Sequence, residues 1–245
     1  MPTLPVTIVQ FVAALGLVVI GSIVQGSIGF GLVVTIAPIV LLVNKLFLPG
    51  PMLVLVTLLS VMVAWRDRRH IAWSEVTMAT GGRVIGVIPA ALAMGLISEN
   101  AYDLLFAVAI LLVVAISFAG WHVRLTTGSL LITSILSGFI STVAAVGGPP
   151  MAIVYQNEHA AKIRGTLSAM FAVGTPLSII GLCWAGKFGL RELALGVVLI
   201  PGAALGYALS HYTVARLDRG NARPVILALV AAMALIVMVR AIVHL

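Results

Sequence analysis

The sequence alternates long apolar runs with short breaks made of Gly, Pro or charged residues. Several runs reach the ~20 apolar residues that a helix needs to cross the hydrocarbon core of a bilayer. The breaks divide the chain into ten segments, which are 5–24, 32–43, 48–65, 76–97, 102–120, 129–146, 151–163, 166–185, 190–210 and 224–243. The pattern predicts an all-α integral membrane protein with ten crossings.

Landmark residues recur in the first five and the last five segments at a nearly constant separation. The recurring pairs are Gly21 and Gly138, Gly29 and Gly147, Trp65 and Trp184, Gly82 and Gly202, and Gly86 and Gly206. Their separations of 117 to 120 residues indicate an internal repeat, with 1–124 as the first membrane repeat and 125–245 as the second. Because each repeat has an odd number of crossings, the second copy must enter the membrane upside down, as in the inverted repeats of many secondary transporters.

The distribution of Lys and Arg predicts the orientation of the chain. With ten crossings and the loop of Arg66, Arg68 and Arg69 inside, nine basic residues face the cytoplasm and four face outside. If segments 32–43 and 151–163 do not cross, the division is seven against six and no bias remains. Since cytoplasmic loops are enriched in Lys and Arg, this count favours ten crossings with both termini outside.

Segments 129–146 and 151–163 lie too close together for two full crossings. Residues 129–164 provide 36 positions, whereas two spans need ~40 before any turn is added. The turn between them, 146–150, must therefore lie within the membrane, and its counterpart in the first half is the Gly-rich stretch 25–31. Inversion brings these two non-helical tips in from opposite faces, so we expect them to meet near the membrane midplane.

Each tip is followed directly by a predicted helix. Pro149 and Pro150 suit the first turn of the second one, where their missing N–H groups would be unpaired anyway. A helix start presents unpaired N–H groups and a partial positive charge, which together favour an anion. Non-helical backbone at this depth is tolerated where it lines a polar cavity, so the two tips predict a central anion site. The alternative is that the glycines serve only close helix packing.

Eleven residues are candidates for contacting that anion. They belong to the two tips, to nearby polar positions and to one basic position inside a span, and they are Gln25, Ser27, Gly29, Gly31, Arg83, Ser141, Thr142, Gly147, Gly148, Tyr155 and Gln156. Hydroxyl and amide groups can donate hydrogen bonds to an oxyanion, although a helical Ser or Thr can donate to the preceding turn instead. Arg83 either pairs with the anion or extends its side chain toward the cytoplasmic surface.

Composition excludes several other classes of protein. With 62% hydrophobic and 9% charged residues, the chain differs strongly from soluble enzymes and from disordered proteins. Its net charge of +7 comes from basic residues at the ends of apolar runs, which predicts no nucleic-acid-binding face. The sequence has a single cysteine, no phosphate-binding Gly-x-x-x-x-Gly-Lys-Ser/Thr loop and no clustered metal ligands, so no cofactor or metal is expected. Since no catalytic pair is visible, an enzyme is not expected either.

Three short motifs stand out, which are Gly26-Ser-Ile-Gly-Phe-Gly31 followed by Pro38, Gly138-Phe-Ile-Ser-Thr-Val-Ala-Ala-Val-Gly-Gly-Pro-Pro150, and Lys162-Ile-Arg-Gly-Thr166. Together they resemble the TauE/SafE sulfite exporter family, and the resemblance spans essentially the whole chain. The second motif ends in Gly-Gly-Pro-Pro, where the family more commonly has Gly-Gly-Gly. The resemblance implies movement of sulfite, organosulfonates or other small organic anions across a bacterial cytoplasmic (inner) membrane, often outward.

The resulting hypothesis is a secondary transporter, and more specifically an exporter, of small anions, with sulfite or organosulfonates as the first candidates. Alternating access would come from rocking of one repeat against the other around the fixed tips. Two alternatives stay open, a transporter of small carboxylates and an anion channel. The expected partners are the anion and the lipid bilayer, and the sequence leaves open whether the chain forms a homo-oligomer.

Overall fold

A computed structural model describes residues 6–96 and 123–217, together with positions 105, 108, 109 and 112. The regular secondary structure of these residues is helical, as the sequence predicts. The predicted crossing 224–243 and most of the predicted crossing 102–120 lie outside the described residues.

The helices differ greatly in length. Those with defined bounds are α1 (Ile8–Ile28), α2 (Leu32–Val43), α3 (Gly50–Arg66), α4 (Trp73–Leu96), α5 (Thr127–Ala144), α6 (Gly148–Tyr155), α7 (Ala160–Trp184), α8 (Leu190–Val198) and α9 (Ile200–Leu217). Two short 3₁₀ helices, Lys45–Phe47 and Arg68–His70, precede and follow α3.

Four helices of the described part are long and apolar enough to cross a membrane, namely α1, α4, α5 and α7. The pair α8 and α9, bent by 43°, adds a fifth candidate. The fold is therefore that of a multi-pass membrane protein. Helices α2 and α6 have 12 and 8 residues, which at 1.5 Å per residue gives only about 18 and 12 Å, too short to cross. The predictions that 32–43 and 151–163 are crossings are therefore wrong. Helix α2 is too short, and 151–163 is divided because α6 ends at Tyr155 and α7 begins at Ala160.

The first hairpin joins α1 to α2. Thr7 begins α1 with a reciprocal capping box, and the helix continues to Ile28, four residues beyond its predicted end. The first tip is therefore narrower than the predicted stretch 25–31, and only residues 29–31 are non-helical. Gly29 and Gly31 have φ values of 89° and 117°, a left-handed conformation that side chains with a Cβ adopt at a cost. The chain then returns antiparallel to α1.

The second hairpin joins α5 to α6. Helix α5 ends at Ala144, and Ala145, with φ of 59°, turns the chain out of the helix. Helix α6 begins at Gly148, so Pro149 and Pro150 occupy its first turn, as predicted. The prolines therefore fix where this short helix starts, because their φ is helical and they have no N–H to leave unpaired.

Glycines set the closest helix contacts. A Cβ at Gly86 would overlap the carbonyl oxygen of Ile135, which places α4 directly against α5. A Cβ at Gly206 would overlap the carbonyl oxygen of Val19, which places α9 directly against α1. Gly86 and Gly206, which are counterparts in the internal repeat, therefore both allow close helix packing. At the centre of the described part, α3 lies against α7, the most buried of the four long apolar helices.

Candidate functional site

The two glycine-rich tips meet inside the molecule. A Cβ at Gly148, the first residue of α6, would lie 2.5 Å from Cδ2 of Phe30 in the first tip. A cavity of about 290 Å³ of empty space, measured to its open mouth, adjoins this contact. It is lined by residues of both tips and of α1, α2, α3, α5, α6 and α7, which are Gln25, Phe30, Gly31, Leu32, Val33, Val34, Val56, Ser141, Ala145, Gly147, Gly148, Phe171 and Thr175. Residues from both halves of the chain therefore share one cavity.

Two helices begin at this cavity. Gly31 and Gly147 are the N-cap residues of α2 and α6, and neither provides a side chain that could cap the helix. The Oε1 atom of Gln25 accepts a hydrogen bond from the N–H of Leu32 at 3.4 Å, which is the longest useful distance for such a bond. Both helix starts therefore direct the positive end of their backbone dipoles toward the cavity, the polarity that suits an anion.

Arg83 of α4 is fully buried beside the cavity. Its Nη1 donates to Oγ of Ser137 at 2.8 Å, and its Nη2 donates to Oγ of Ser141 at 3.2 Å. The guanidinium also lies over the ring of Phe171, 5.0 Å from its centroid. Because the side chain is completely covered, it does not extend to the cytoplasmic surface, and that alternative is wrong.

The charge of Arg83 is not neutralised by the residues that the structure describes. None of their carboxylates forms a salt bridge with it, and its Nε atom is buried without a hydrogen-bond partner. A Cβ at Gly174 of α7 would overlap this Nε atom, so the glycine provides the space that the guanidinium occupies. Arg83 does not itself line the cavity, but its partners Ser141 and Phe171 do.

Five of the eleven predicted residues line the cavity, and Arg83 stands directly behind it. The five are Gln25, Gly31, Ser141, Gly147 and Gly148. Gln25 is also part of the scaffold, because its Nε2 donates to the carbonyl of Val56 at 3.3 Å and to Oγ of Ser60 at 3.1 Å. The cavity wall thus includes a side-chain amide from α1 and a hydroxyl from α5, the helices that lead into the two tips.

The other five predicted residues are not among those that line this cavity. The hydroxyls of Ser27 and Thr142 donate to carbonyls of the preceding turn, which is the alternative that the sequence left open. Gly29 packs against the backbone of Arg164. Tyr155 donates from its hydroxyl to Oε2 of Glu75 at 2.5 Å, and the adjacent Gln156 ends the same short helix.

The comparison with known families gives one match. The sequence profile described as "Sulfite exporter TauE/SafE" matches residues 13–237, nearly the whole chain. The chain belongs to the TauE/SafE family. This is a family of membrane transporters, which implies a small anion as substrate and the lipid bilayer as surroundings. No curated protein and no solved structure shows significant similarity to the chain.

Sequence reasoning missed the apolar half of the site in this TauE/SafE protein. Phe30, Val33, Val34 and Phe171 line the cavity, but an apolar residue in an apolar helix gives no signal of its own. Phe30 could have been found, since it is the one large side chain between the two glycines of the first tip. Among the described residues no cluster of three or more His, Cys, Asp or Glu could hold a metal ion.

The third TauE/SafE-like motif, 162–166, belongs to a different cluster. Arg164 is 2% exposed and donates to both carboxylate oxygens of Asp67, from Nε at 2.8 Å and from Nη2 at 2.7 Å. Arg66 approaches the same carboxylate through its Nε at 3.1 Å and also donates to the carbonyl of Gly26. Burial, the largest contribution, would raise the pKa of Asp67, but the hydrogen bonds and charges of Arg164 and Arg66 together lower it below its usual value.

Proposed function

We propose that this TauE/SafE protein is a secondary transporter that exports small anions across a bacterial cytoplasmic membrane. Sulfite and organosulfonates are the first candidate substrates and small carboxylates the next. The carrying observation is that the two tips adjoin one cavity, directly in front of a buried arginine without an acidic partner among the described residues. Helix starts, hydroxyls and a guanidinium are all groups that hold oxyanions in proteins.

Alternating access between two inverted repeats, 1–124 and 125–245, is the second part of the proposal. Helices α3 and α7 are counterparts under the repeat, and Thr57 and Thr175, 118 positions apart, share a hydrogen bond of 2.8 Å between their Oγ1 atoms. Farther along, the residue after α3, Asp67, meets Arg164 near the start of α7, so the two helices run antiparallel. Antiparallel counterparts that meet at equivalent residues are what an inverted repeat requires.

A second set of equivalent contacts supports the same arrangement. Gln25 donates to Ser60, and the hydroxyl oxygens of Thr142 and Ser178 share a hydrogen bond of 3.0 Å. The first pair joins α1 to α3, and the second joins the counterpart helices α5 and α7. In this proposal the tips stay near the midplane while one repeat rocks against the other and exposes the cavity to each side in turn.

The proposal is tested with the purified full chain in proteoliposomes. We expect saturable efflux of labelled sulfite or methanesulfonate that is accelerated by unlabelled substrate on the opposite side, because a carrier must return across the membrane. The Arg83→Gln variant should lose most of this flux, whereas Arg68→Gln, at an exposed arginine, should keep it. Single-channel currents without counterflow would show that the protein is a channel and not a carrier. The absence of flux for all small anions would overturn the proposed function.

A further inference from the structure

We infer that the cavity selects anions that carry one negative charge and disfavours dianions of similar size. The inference rests on the proposed function and adds the charge state of the transported species. It follows from a count of the charges around the cavity and from the way in which Arg83 is held.

The charge count is simple in the residues that the structure describes. None of the residues that line the cavity has an ionisable side chain. Arg83 contacts two of them, Ser141 and Phe171, and brings one positive charge to the cavity wall. The other fully buried arginine, Arg164, is paired with Asp67 and lies seven residues before Phe171 on α7, or ~10 Å along the helix axis. The ionisable side chains therefore bring a formal charge of +1 to the site, and the two helix starts add only partial positive charge.

A ligand with one negative charge would neutralise the formal charge of this site. A buried cation without a partner is costly, and an anion with a single charge in the cavity would make the pair neutral. A dianion would leave one negative charge uncompensated against the apolar side chains of Phe30, Val33 and Phe171. Its dehydration is also more costly, since the Born energy rises with the square of the charge and is roughly four times that of a monoanion of equal radius.

The size of the cavity narrows the class further. The cavity is small, because its empty space of about 290 Å³ includes the region at its open mouth. The apolar part of the wall can accept a small alkyl group beside the charged head. The best ligands are therefore short alkyl sulfonates, which are monoanions at all physiological pH values, and hydrogen sulfite. Sulfite loses its second proton near neutral pH, so only the protonated part of the pool should bind well.

Competition experiments in proteoliposomes test the preference for anions with one negative charge. The measured quantity is the efflux of labelled methanesulfonate in the presence of unlabelled methanesulfonate, sulfate or sulfite. We expect methanesulfonate to compete, sulfate to compete at least tenfold less well, and sulfite to compete better as the pH is lowered from alkaline to mildly acidic. Competition by unlabelled methanesulfonate, whose charge does not change over this pH range, is the control. A pH effect that is seen with sulfite and not with methanesulfonate comes from protonation of sulfite and not of the protein.

Three variants and one control test whether Arg83 determines the preference for monoanions. Arg83→Lys keeps the charge and should keep the preference for monoanions. Arg83→Gln removes the positive charge behind the cavity and should weaken methanesulfonate binding roughly tenfold or more, because the lost attraction acts through a poorly solvated wall. Gly174→Ala keeps the charge but places a Cβ where Arg83 Nε lies, so it should weaken binding as well. Gly81→Ala on α4 is the matched control, because its Cβ would meet nothing within 4 Å.

The outcomes separate this inference from the proposed function. If methanesulfonate is transported and sulfate competes equally well, the proposed transport function is retained and the preference for monoanions is overturned. If methanesulfonate competes as well in a folded Arg83→Gln variant as in the parent, while sulfate competes poorly in both, the selectivity does not come from Arg83 and the inference fails. If no small anion of either charge is transported, the proposed function fails and the inference fails with it.

Discussion

The two largest side chains that are fully buried in the described residues are both arginines, and their surroundings are opposite. Arg164 holds a carboxylate through two hydrogen bonds, while Arg83 holds two serine hydroxyls and no carboxylate. Arg164 connects the start of α7 to the loop after α3, and Arg83 stands behind the cavity that both tips share. In the first case the fold itself neutralises the charge, and in the second the charge is available to a ligand.

This difference separates a structural role from a binding role for the same residue type. A buried ion pair is costly to break, because removing one partner leaves the other charge buried and unpaired. A buried arginine without an acidic partner costs stability, and in the proposed function an anion in the cavity offsets that cost. The four predictions that follow test this contrast, from the largest expected effect to the smallest.

The largest effect is expected for Asp67→Asn. The variant leaves the guanidinium of Arg164 buried without its counter-ion and should lower the free energy of unfolding by about 3–5 kcal/mol. Thermal unfolding of the purified protein in detergent measures the change. The double variant Asp67→Asn with Arg164→Gln removes both charges and should recover part of the loss. An unchanged unfolding temperature in the single variant would show that the ion pair does not stabilise the fold.

A smaller effect is expected when the partners of Arg83 are removed one at a time. Ser137 accepts from Arg83 and donates to the carbonyl of Gly147 at 2.7 Å, so it also holds the second tip. Ser137→Ala should therefore cost about 1–3 kcal/mol of stability. Ser141→Ala loses only the bond to Arg83 among those described for its side chain and should cost less. Equal unfolding temperatures for the two variants would contradict the role of Ser137 in holding the tip.

The sequence was sufficient to predict the tips but not the environment of either arginine. Helix-start prolines, repeated glycines and a segment too short for two spans are local patterns, and they correctly placed the hairpin that contains Gly147 and Gly148. Arg164 and Asp67 are 97 positions apart, and no spacing rule pairs residues at that distance. Whether Arg83 extends to the surface or stays buried likewise depends on Gly174 in another helix, which provides the space for it.

The errors at the edges of the tips have a related cause. Gln25 and Ser27 were expected in non-helical backbone because the stretch 25–31 is the repeat counterpart of the turn 146–150, but both lie in α1. The Gln25 amide bonds to α3, and Ser27 bonds within its own helix. Tyr155 was expected near the anion, but its hydroxyl bonds to Glu75. Polar residues near a predicted site could be listed from the sequence, while their partners could not.

Replacing Arg83 should have almost no effect on stability in the absence of anions. Arg83→Met removes an unpaired buried charge and two hydrogen bonds at once, and these opposing contributions should leave the free energy of unfolding within about 1 kcal/mol of the parent. The stabilisation that methanesulfonate gives the parent protein should disappear, since a ligand that binds only the folded state stabilises it by mass action. If the variant is still stabilised by the anion, Arg83 is not part of the binding site.

The smallest effect is expected from mild acid acting on the Asp67 pair. Because Arg164 and Arg66 lower the pKa of Asp67 below the ordinary 3.8 of an aspartate, its stabilising contribution is fully present above that ordinary value and is lost only as the pH falls through the lowered pKa. The difference in unfolding temperature between the parent and Asp67→Asn should therefore stay constant from neutral to mildly acidic pH and shrink only in stronger acid. Burial acts in the opposite direction and is the largest single contribution. A difference that already shrinks in mild acid would mean that burial outweighs the two arginines, and Arg164 would then lose its counter-ion under the same conditions.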